Sequence, residues 1–530
     1  MMVSFGIRAL TFGLCVSHAA LAQNYTELYR PQYHFTPAEN WMNDPNGLLY
    51  HDGIYHLFYQ YNPGGITWGA MSWGHATSLD LIHWDHQPVA LLARGFPDAI
   101  TEMYFSGTTV VDTNNTSGFG ENGKVPIVAM YTSYYPQAQT LPSGKSVVTN
   151  QQSQSIAYSL DGGMTWTTYD AANPVILNPP AEYADQQLEF RDPAVFWHDE
   201  TDSWVAIVSL AKLHKLVVYT STNLKDWHEV SEFGPANAVG GVWECPSFFP
   251  LPLDGGSDLK WVAQIGLNPG GPPGTPGSGT QYIVGDFNGT TFTADAESVT
   301  QTNWVDYGPD FYAGLSFAGL PVDNRVNIAW MSNWKYGGAI PTNPWRSAYT
   351  IPRKLSLKTI KEKVTLVQQP ILEKGESQVR CWDSVPAGTT KLNTTAKTLD
   401  ATLTFSKAES TQFGIIVRAA SDLSEQTQVG YDFERQELFV NRTRSGKTDF
   451  DDAFAGVYYA PLASVNGTVT MRVLVDWSSV EVFGGIGEVT LTAQIFPSEE
   501  AADVYLFSAG GSTSNVEIRS NQVQSTWGSQ

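Results

Sequence analysis

Short apolar runs separated by turn residues fill the chain from about residue 33 to about residue 352. Runs over 47–50 and 54–61 flank the pair Asp52-Gly53, and a second such pair, Asp161-Gly162, stands between two later runs. An Asp-Gly pair between apolar runs is typical of a β-hairpin, because both residues tolerate the backbone angles of a tight turn. The pattern therefore predicts a succession of antiparallel hairpins rather than helices.

A loose repeat runs through the same region. In each copy a β-run ends in a polar turn and the chain resumes at a tryptophan, and the three copies lie over 78–84, 159–166 and 221–227. Radially repeated antiparallel sheets, the blades of a propeller, produce this kind of recurrence. A β-sandwich would produce it as well, so the repeat by itself leaves both architectures open.

The character of the chain changes near residue 358. Residues 358–376 are rich in lysine and glutamate, and we expect a weakly helical or linker-like segment there. Beyond it, strand-like runs alternate apolar and polar positions more strictly, which predicts a β-sandwich. The sequence thus predicts an all-β protein with one domain over 23–357, a linker over 358–376 and a sandwich domain over 377–530.

Composition and charge narrow the class of ligand. Of the 530 residues only 15% are charged while 12% are aromatic, which is typical of an exported all-β protein with many turns. The formal net charge of −22 would repel nucleic acid, anionic membrane surfaces and polyanionic substrates alike. We therefore expect no nucleic-acid or membrane partner and a neutral ligand, for which neutral sugars qualify.

The N-terminus predicts export from the cell. Arg8 precedes an apolar run, and Ala20-Leu21-Ala22 ends in small residues suited to cleavage. The run is too short to span a bilayer, so residues 1–22 are interpreted as a signal peptide rather than a membrane anchor. The mature chain would begin at Gln23, and we expect a secreted, extracellular protein.

Seven asparagines begin an Asn-x-Ser/Thr triplet without an intervening proline, the acceptor sequence for N-glycans in a eukaryotic host. They are Asn24, Asn114, Asn115, Asn288, Asn393, Asn441 and Asn466. Cysteine is sparse, and beyond the signal peptide the chain carries Cys245 and Cys381, of which we expect Cys245 to be a free, partly buried thiol. No Cys/His cluster has the spacing of metal ligands, so the sequence predicts no metal site.

Three carboxylates lie in unusual aromatic and proline-containing turns of the first domain. Asp44 lies in the run WMNDPNG, Asp192 in FRDP and Glu244 in WECP. Turn residues hold the backbone in one shape, so the side chains they carry can be aimed into a pocket. Each residue alone is more often part of a structural turn, but three together in one domain indicate a catalytic site. Glycoside cleavage requires such carboxylates, one as proton donor to the leaving oxygen and one facing the anomeric carbon.

The neighbours of these carboxylates predict how the tasks are divided. The longer Glu244 suits an acid/base that must reach the leaving group, and a shorter aspartate suits a rigidly held nucleophile. We expect Arg191, which stands beside Asp192 in the sequence, to keep one carboxylate ionised by charge pairing. We also expect Trp243 and Pro246 to surround Glu244 with apolar groups that favour its protonated form. The residues therefore indicate a glycosidase.

The three motifs resemble the hallmark motifs of glycoside hydrolase family 32, which comprises invertases, inulinases, levanases and related fructosyltransferases. The segments QYNP, WGHA, YFSG and WMSNW, which begin at residues 60, 73, 104 and 330, match the family as well. The likeness covers nearly all of the mature chain and is greatest to the fungal exo-inulinases. It implies a five-bladed β-propeller followed by a β-sandwich, and retaining hydrolysis of terminal fructofuranosyl units.

The roles of individual residues follow from this resemblance. Asp44 matches the nucleophile, Glu244 the acid/base, and Asp192 the residue that binds fructose hydroxyls and stabilises the transition state. The residues that match the fructose pocket are Trp41, Asn43, Gln60, Trp68, Phe105, Ser106, Arg191 and Trp334. Aspartate rather than glutamate at position 44 is typical of exo-acting members. The resemblance thus implies an exo-inulinase type of activity on inulin, and also on levan and sucrose.

Related functions stay open at this level. An invertase or a fructosyltransferase would use the same carboxylates, and a fructan-binding protein without catalysis is a further alternative that the intact motifs disfavour. Acid/base catalysis by carboxylates needs neither a metal nor an organic cofactor, so none is expected. The predicted partner is a fructan or sucrose, and the oligomeric state is left open.

Overall fold

The computed structural model describes residues 24–372 and 375–527. Regular structure in these residues is β apart from short 3-10 turns, Ala181–Gln186, Asp199–Thr201, Ala211–Leu213, Ala296–Val299 and Val322–Asn324. The all-β prediction is therefore confirmed. Within the described residues no helix has the length and apolar character needed to cross a membrane. The predicted signal peptide over 1–22 lies outside the described residues.

The N-terminal part of the chain forms five antiparallel sheets in succession. The first sheet contains β1 (Asn40–His51), β2 (Ile54–Asn62), β3 (Ser72–Ser78) and β4 (Asp85–Leu91). The second contains β5 (Met103–Val111) and β6 (Ile127–Tyr135), then, after the small hairpin of β7 (Gln139–Thr140) and β8 (Ser146–Val147), β9 (Gln151–Ser159) and β10 (Thr167–Thr168). The third contains β11 (Phe190–His198), β12 (Ser203–Leu210), β13 (Lys215–Ser221) and β14 (His228–Phe233).

Two further sheets complete this part of the fold. The fourth contains β15 (Val242–Pro252), β16 (Leu259–Asn268), β17 (Gly279–Phe287), β18 (Phe292–Ala294) and β19 (Asn303–Trp304). The fifth begins with β20 (Tyr312–Ser316) and β21 (Val326–Met331). The next strand in the chain, β22 (Trp345–Arg346), belongs to the first sheet, where it pairs in parallel with β1. The fifth sheet then continues with β23 (Ala348–Tyr349), β24 (Arg353–Ile360) and β25 (Lys363–Pro370).

The opening strands of the five sheets form a ring. Strand β1 contacts β5, β5 contacts β11, β11 contacts β15, β15 contacts β20, and β20 contacts β1 again. The parallel pairing of β22 with β1 ties the last sheet to the first. Since each sheet faces its neighbours across buried apolar side chains, the core is divided into clusters between adjacent sheets.

The repeat seen in the sequence corresponds to one turn that recurs in three sheets. It connects the third and fourth strands of the first, second and third sheets, and in each copy the tryptophan indole donates a hydrogen bond to the carbonyl three residues earlier. The pairs are Trp84 with Leu81 at 3.0 Å, Trp166 with Gly163 at 3.0 Å and Trp227 with Leu224 at 3.1 Å. Each tryptophan therefore closes its own turn.

The prediction of a linker over 358–376 is wrong for residues 358–370, which belong to a hairpin. Strands β24 and β25 pair antiparallel with each other along their whole length and form the outer edge of the fifth sheet. Leu355, Leu357 and Leu366 of this hairpin are buried, whereas its lysines and glutamates face solvent. Charged residues, lysine above all, protect the exposed edge of a sheet from pairing with other chains, and here they obscure the strand pattern.

The C-terminal part is a sandwich of two six-stranded sheets, which confirms the sequence prediction. Its strands are β26 (Gln378–Val385), β27 (Gly388–Thr395), β28 (Leu399–Lys407), β29 (Gln412–Ala419), β30 (Gln426–Asp432), β31 (Glu437–Arg444), β32 (Val457–Pro461), β33 (Thr468–Asp476), β34 (Ser479–Gly484), β35 (Val489–Gln494), β36 (Asp503–Ala509) and β37 (Thr513–Asn521). The sheet orders are β26-β37-β28-β33-β34-β35 and β27-β36-β29-β30-β31-β32. One apolar cluster fills the space between them.

Fully buried charges join the sandwich to the ring of sheets. Arg353 of β24 contacts Asp306 at 3.0 Å and Glu481 of the sandwich at 2.5 Å. His34 lies between Asp476 and Glu481, with one ring nitrogen 2.8 Å from each carboxylate. Buried charges are stable only when they are paired, so removal of either domain would leave unpaired charges in the other.

These contacts predict a pH-dependent contribution of His34 to stability. Burial opposes protonation of the ring, but the hydrogen bonds to Asp476 and Glu481 outweigh it and raise the pKa of His34 to about 9. The stabilisation of the folded state by protonated His34 is therefore complete below the ordinary histidine pKa near 6.5, and it is lost as the pH rises through 9. We expect H34Q to lower unfolding stability at pH 6 by about 3–5 kcal/mol and by less at pH 10.

The measurement is chemical denaturation of wild type and variant at both pH values. The control is H83Q, because His83 contacts Asp80 in an exposed pair that contributes little. Equal destabilisation by H34Q at pH 6 and pH 10 would show that His34 is not charged in the folded protein.

Candidate active site

The three candidate carboxylates lie on opening strands at breaks in strand pairing. Asp44 lies on β1 between the paired residues Met42 and Pro45, and Asp192 on β11 between Arg191 and Ala194. The register of β15 shifts directly after Glu244, and β5 and β20 are interrupted in the same way. Asp192 and Cys245 have left-handed backbone angles, with φ of 63° and 48°. A bulge of this kind re-aims side chains, and it tolerates proline because the ladder hydrogen bond is already absent.

The bulges allow neighbouring residues to face the same cavity. In a regular strand consecutive side chains point to opposite faces. Here Asn43 and Asp44, Phe105 and Ser106, and Arg191 and Asp192 all line one cavity of about 370 Å³. The full lining is Asn43, Asp44, Gln60, Trp68, Phe105, Ser106, Tyr134, Gln152, Glu189, Arg191, Asp192, Glu244, Asn268 and Trp334. The structure thus brings together every candidate site residue except Trp41.

Asp44 presents one oxygen that is held and one that is free. Its Oδ2 accepts a hydrogen bond from Ser106 Oγ at 2.7 Å and another from Cys245 Sγ at 3.2 Å. Its Oδ1 is buried and has no hydrogen-bond partner. Burial raises the pKa of Asp44 above its ordinary value, although the Ser106 hydroxyl opposes the shift. A carboxylate fixed through one oxygen leaves the other available for a ligand in the cavity.

The carboxyl of Asp192 accepts a backbone hydrogen bond and has Arg191 only at a distance. The backbone N–H of Cys245 donates to its Oδ2 at 2.9 Å, but Arg191 Nε lies 3.9 Å from the same oxygen. Burial raises the pKa of Asp192 to about 7, and the charges of Glu244 and Asp44 add to the shift, while Arg191 opposes it. At Asp192 desolvation therefore outweighs the one distant cation, so Asp192 is not the carboxylate that Arg191 pairs with closely.

The guanidinium of Arg191 instead holds Glu244. Arg191 donates from Nε at 3.2 Å and from Nη2 at 2.9 Å to Glu244 Oε1, while the Tyr312 hydroxyl donates to Oε2. Trp243 points to the other side of β15, is fully buried and packs between the third and fourth sheets. The prediction that Trp243 gives Glu244 an apolar surround is therefore wrong, since hydrogen-bond donors hold both carboxylate oxygens.

Trp41 supports the cavity from behind rather than lining it. It is 1% exposed, and its indole nitrogen donates to Asn43 Oδ1 at 2.8 Å. This bond orients the Asn43 amide, while Gln60 is held by a 2.9 Å bond from its amide nitrogen to the carbonyl of Tyr104. Trp334 lines the cavity, and its buried indole nitrogen has no hydrogen-bond partner. The cavity therefore combines oriented amides, a free indole N–H and carboxylates, a set suited to sugar hydroxyls.

Sequence reasoning missed several residues of the site. Tyr134, Gln152, Glu189 and Asn268 line the cavity, and the Tyr312 hydroxyl bonds Glu244 without being part of any motif singled out in the sequence. Glu189 immediately precedes the FRDP run, and this proximity is a signal that could have found it. The others lie on β6, β9, β16 and β20, and only the ring of opening strands brings them to the cavity. Cys245 is a free, buried thiol, as predicted.

The asparagines predicted to carry glycans lie at the surface with one exception. Asn24, Asn114, Asn115, Asn288, Asn393 and Asn466 are exposed. Asn441 is half-buried on β31, where its side-chain nitrogen donates to Gln428 at 3.3 Å. The structure therefore leaves six of these side chains accessible to a modifying enzyme.

Comparison with known proteins assigns the chain to a family. The family model described as "Glycosyl hydrolases family 32 N-terminal domain" matches residues 34–370, and "Glycosyl hydrolases family 32 C terminal" matches 369–524. The chain belongs to glycoside hydrolase family 32. This confirms the resemblance drawn from the motifs, and Asp44, Asp192 and Glu244 all lie in the N-terminal family domain.

Individual relatives of this family 32 protein are similar over almost its whole length. The extracellular exo-inulinase of Aspergillus ficuum is 60% identical over 96% of this chain and 97% of the relative. A levanase of Bacillus subtilis is 43% identical and covers 96% of this chain and 72% of its own length. The crystal structure of an exo-inulinase from Aspergillus awamori superimposes with a TM-score of 0.93 at 59% identity, over 95% of this chain and 100% of that structure.

The contacts of Asp44 predict how Ser106 influences the pH dependence of activity. Removing the Ser106 hydroxyl takes away a hydrogen bond that lowers the pKa of Asp44. In S106A the pKa therefore rises further, and activity that needs ionised Asp44 is lost earlier as the pH falls. We expect the acidic limb of kcat/KM to move upward by up to about one pH unit.

A pH profile of kcat/KM for both proteins measures this shift, whatever the change in overall rate. The matched control is S133A, since buried Ser133 donates a 2.6 Å hydrogen bond to Glu102, which does not line the cavity. An acidic limb that stays in place in S106A would contradict the role given to this hydroxyl.

Proposed function

We propose that this family 32 glycoside hydrolase is a secreted, exo-acting β-fructofuranosidase of the exo-inulinase type. It would release terminal fructose from inulin, and also from levan and sucrose. The observation that carries the proposal is that Asp44, Asp192 and Glu244 all line one cavity. The cavity volume of about 370 Å³ is small for a binding site and is suited to one or two sugar units. The exo-inulinase and levanase names of the relatives support fructans as the substrate class.

The first chemical step would involve two of the carboxylates. Asp44 attacks the anomeric carbon of the terminal fructosyl unit, and Glu244 in its protonated form gives its proton to the glycosidic oxygen as that bond breaks. The remainder of the chain leaves as an alcohol, and the fructosyl unit is joined covalently to Asp44. The free Oδ1 of Asp44 and the Ser106 and Cys245 bonds to its Oδ2 support this role.

The second step would return both carboxylates to their starting state. Glu244, now ionised, takes a proton from a water molecule, whose oxygen attacks the anomeric carbon and displaces the Asp44 carboxylate. Two displacements at one carbon retain its configuration. The contacts of Arg191 and Tyr312 with the two oxygens of Glu244 would hold this side chain in place through both steps.

Asp192 would bind the sugar rather than react with it. With its pKa raised to about 7, the buried carboxyl carries a proton in mildly acidic solution and can donate to one fructose hydroxyl as well as accept from another. The oriented amides of Asn43 and Gln60 and the free indole N–H of Trp334 complete the pocket for the terminal unit. Carboxylates do this chemistry without metal or organic cofactor, and none is proposed.

The same proposal includes a finer description of the fold and the mature protein. The five sheets and their ring of opening strands support a five-bladed propeller that ends with β25 and is followed by the sandwich. The relatives named extracellular support secretion after removal of residues 1–22. The six exposed acceptor asparagines support N-glycosylation of the secreted chain.

A time course of products from inulin tests the exo assignment. A cavity that accepts one terminal unit should yield fructose from the earliest time points without intermediate oligosaccharides, measured by chromatography of the digest. Early oligosaccharides would mean an endo-acting enzyme. Cleavage of sucrose without release from inulin would identify an invertase, and transfer products in concentrated sucrose would identify a fructosyltransferase.

Substitution of the acid/base tests the chemistry. E244Q keeps the size of the side chain but cannot supply or accept the proton, so we expect kcat on sucrose and inulin to fall by about 10²–10⁴-fold. The control is E102Q, which makes the same change at a buried glutamate that does not line the cavity. Unchanged fructose release by E244Q would overturn the assignment of the acid.

A further inference from the structure

Three aromatic side chains form a row along one wall of the cavity. Phe105 of β5 and Tyr134 of β6 stack with their ring centroids 4.9 Å apart and their planes 7° from parallel. Trp68, from the connection between β2 and β3, meets Phe105 edge-on at 6.0 Å. All three line the cavity, and Tyr134 belongs to no motif singled out in the sequence. We call Trp68, Phe105 and Tyr134 the aromatic row.

The exposure of the aromatic row is unusual for this protein. Trp68 is 45% exposed, and among the tryptophans in the described residues it alone is classed as exposed. Phe105 and Tyr134 are half-buried, although the protein buries most of its large rings in cores between sheets. Apolar surface kept open at the rim of a cavity, rather than scattered singly, is typical of a ligand-binding surface.

The middle member of the row lies beside the residue that bonds Asp44. Phe105 directly precedes Ser106, whose hydroxyl bonds Asp44. Trp68 and Tyr134 each contact Phe105, and in the structure neither bonds any of the three carboxylates. A terminal fructosyl unit placed at Asp44 therefore has Phe105 next to it. Trp68 and Tyr134 line the same cavity and are each one ring contact removed from Phe105, so they are available to the sugar units that follow the terminal one.

Tyr134 is held in place before any ligand binds. Its hydroxyl donates a 2.6 Å hydrogen bond to Asn150 Oδ1. Asn150 in turn is fixed by a 2.7 Å bond from its backbone N–H to the carbonyl of Tyr135, with a left-handed φ of 64°. The ring is thus locked parallel to Phe105 by contacts on both its face and its hydroxyl. A ring that is already ordered loses little entropy on binding, so it contributes more to affinity.

The lining also contains polar side chains that the proposed catalytic steps do not use. Glu189 and Asn268 line the cavity together with the aromatic row, and Glu189 also bonds Arg191 at 2.8 Å. Sugars have apolar C–H faces and polar hydroxyl edges. A site that binds them therefore needs rings for the faces and hydrogen-bonding groups for the edges. The cavity offers both kinds of group.

We propose that the aromatic row, through Tyr134 in particular, is a binding surface for the sugar units that follow the one released, and so sets the preference for fructan chains over sucrose. The inference rests on the proposed β-fructofuranosidase function and deepens it. Sucrose has a single sugar beyond the terminal fructosyl unit, and this second sugar would still lie close to Phe105. A fructan chain has several further sugar units, so only a fructan would reach along Trp68 and Tyr134.

The test compares substrates in the full-length protein. We expect Y134A to lower kcat/KM for inulin by about tenfold, mainly through KM, and to lower kcat/KM for sucrose by about threefold at most. Y134F keeps the ring and loses the bond to Asn150, so its loss on inulin should be smaller than that of Y134A. The measured quantity is the ratio of kcat/KM for inulin to that for sucrose.

The matched control is Y158A. Tyr158 lies on β9 of the same sheet and stacks on Phe119 with centroids 4.2 Å apart, but it does not line the cavity. This variant should lose stability and keep the wild-type ratio. Equal losses on inulin and sucrose in Y134A, or no loss on either, would overturn the inference while the β-fructofuranosidase function stands. Wild-type protein that releases fructose from neither substrate would instead overturn the proposed function.

Discussion

The interruption of strand pairing in the five opening strands is the constraint on which the cavity depends. A regular β-strand sends alternate side chains to opposite faces, so it can bring only every second residue to one site. The bulges remove that limit, and three pairs of consecutive residues, such as Arg191 and Asp192, line the same cavity. Because the ring places all five interruptions around one centre, residues from β1, β11 and β15 meet although about two hundred positions separate the first from the last.

Closure of the ring also determines the electrostatics of the cavity. Four carboxylates, those of Asp44, Glu189, Asp192 and Glu244, lie at its wall with the guanidinium of Arg191. Their burial costs free energy unless protons or hydrogen bonds reduce the charge. The protein uses both means. The pKa values of Asp44 and Asp192 are raised by burial, and Ser106, Cys245, Arg191 and Tyr312 supply donors.

The sandwich is joined to the ring by charges rather than by apolar surface alone. Arg353, His34 and Glu481 are fully buried, and their partners come from both parts of the chain. Breaking such a pair leaves a buried charge without compensation, which costs far more than a lost surface contact. None of these residues lines the cavity. The second domain therefore acts on the site by stabilising the ring that forms it.

The sequence by itself determined the class of fold, the three carboxylates and most of the cavity lining. Those features depend on residues that are adjacent in the sequence. Examples are the hairpin turns, the alternation of apolar and polar positions in strands, and the runs WMNDPNG, FRDP and WECP. It did not predict the β24–β25 hairpin, whose charged outer face obscures its buried leucines, nor which carboxylate Arg191 pairs with. It also missed Tyr134 and Tyr312. Only the tertiary structure decided these points, because burial, which sets pKa values, and contacts between distant strands exist only once the ring has closed.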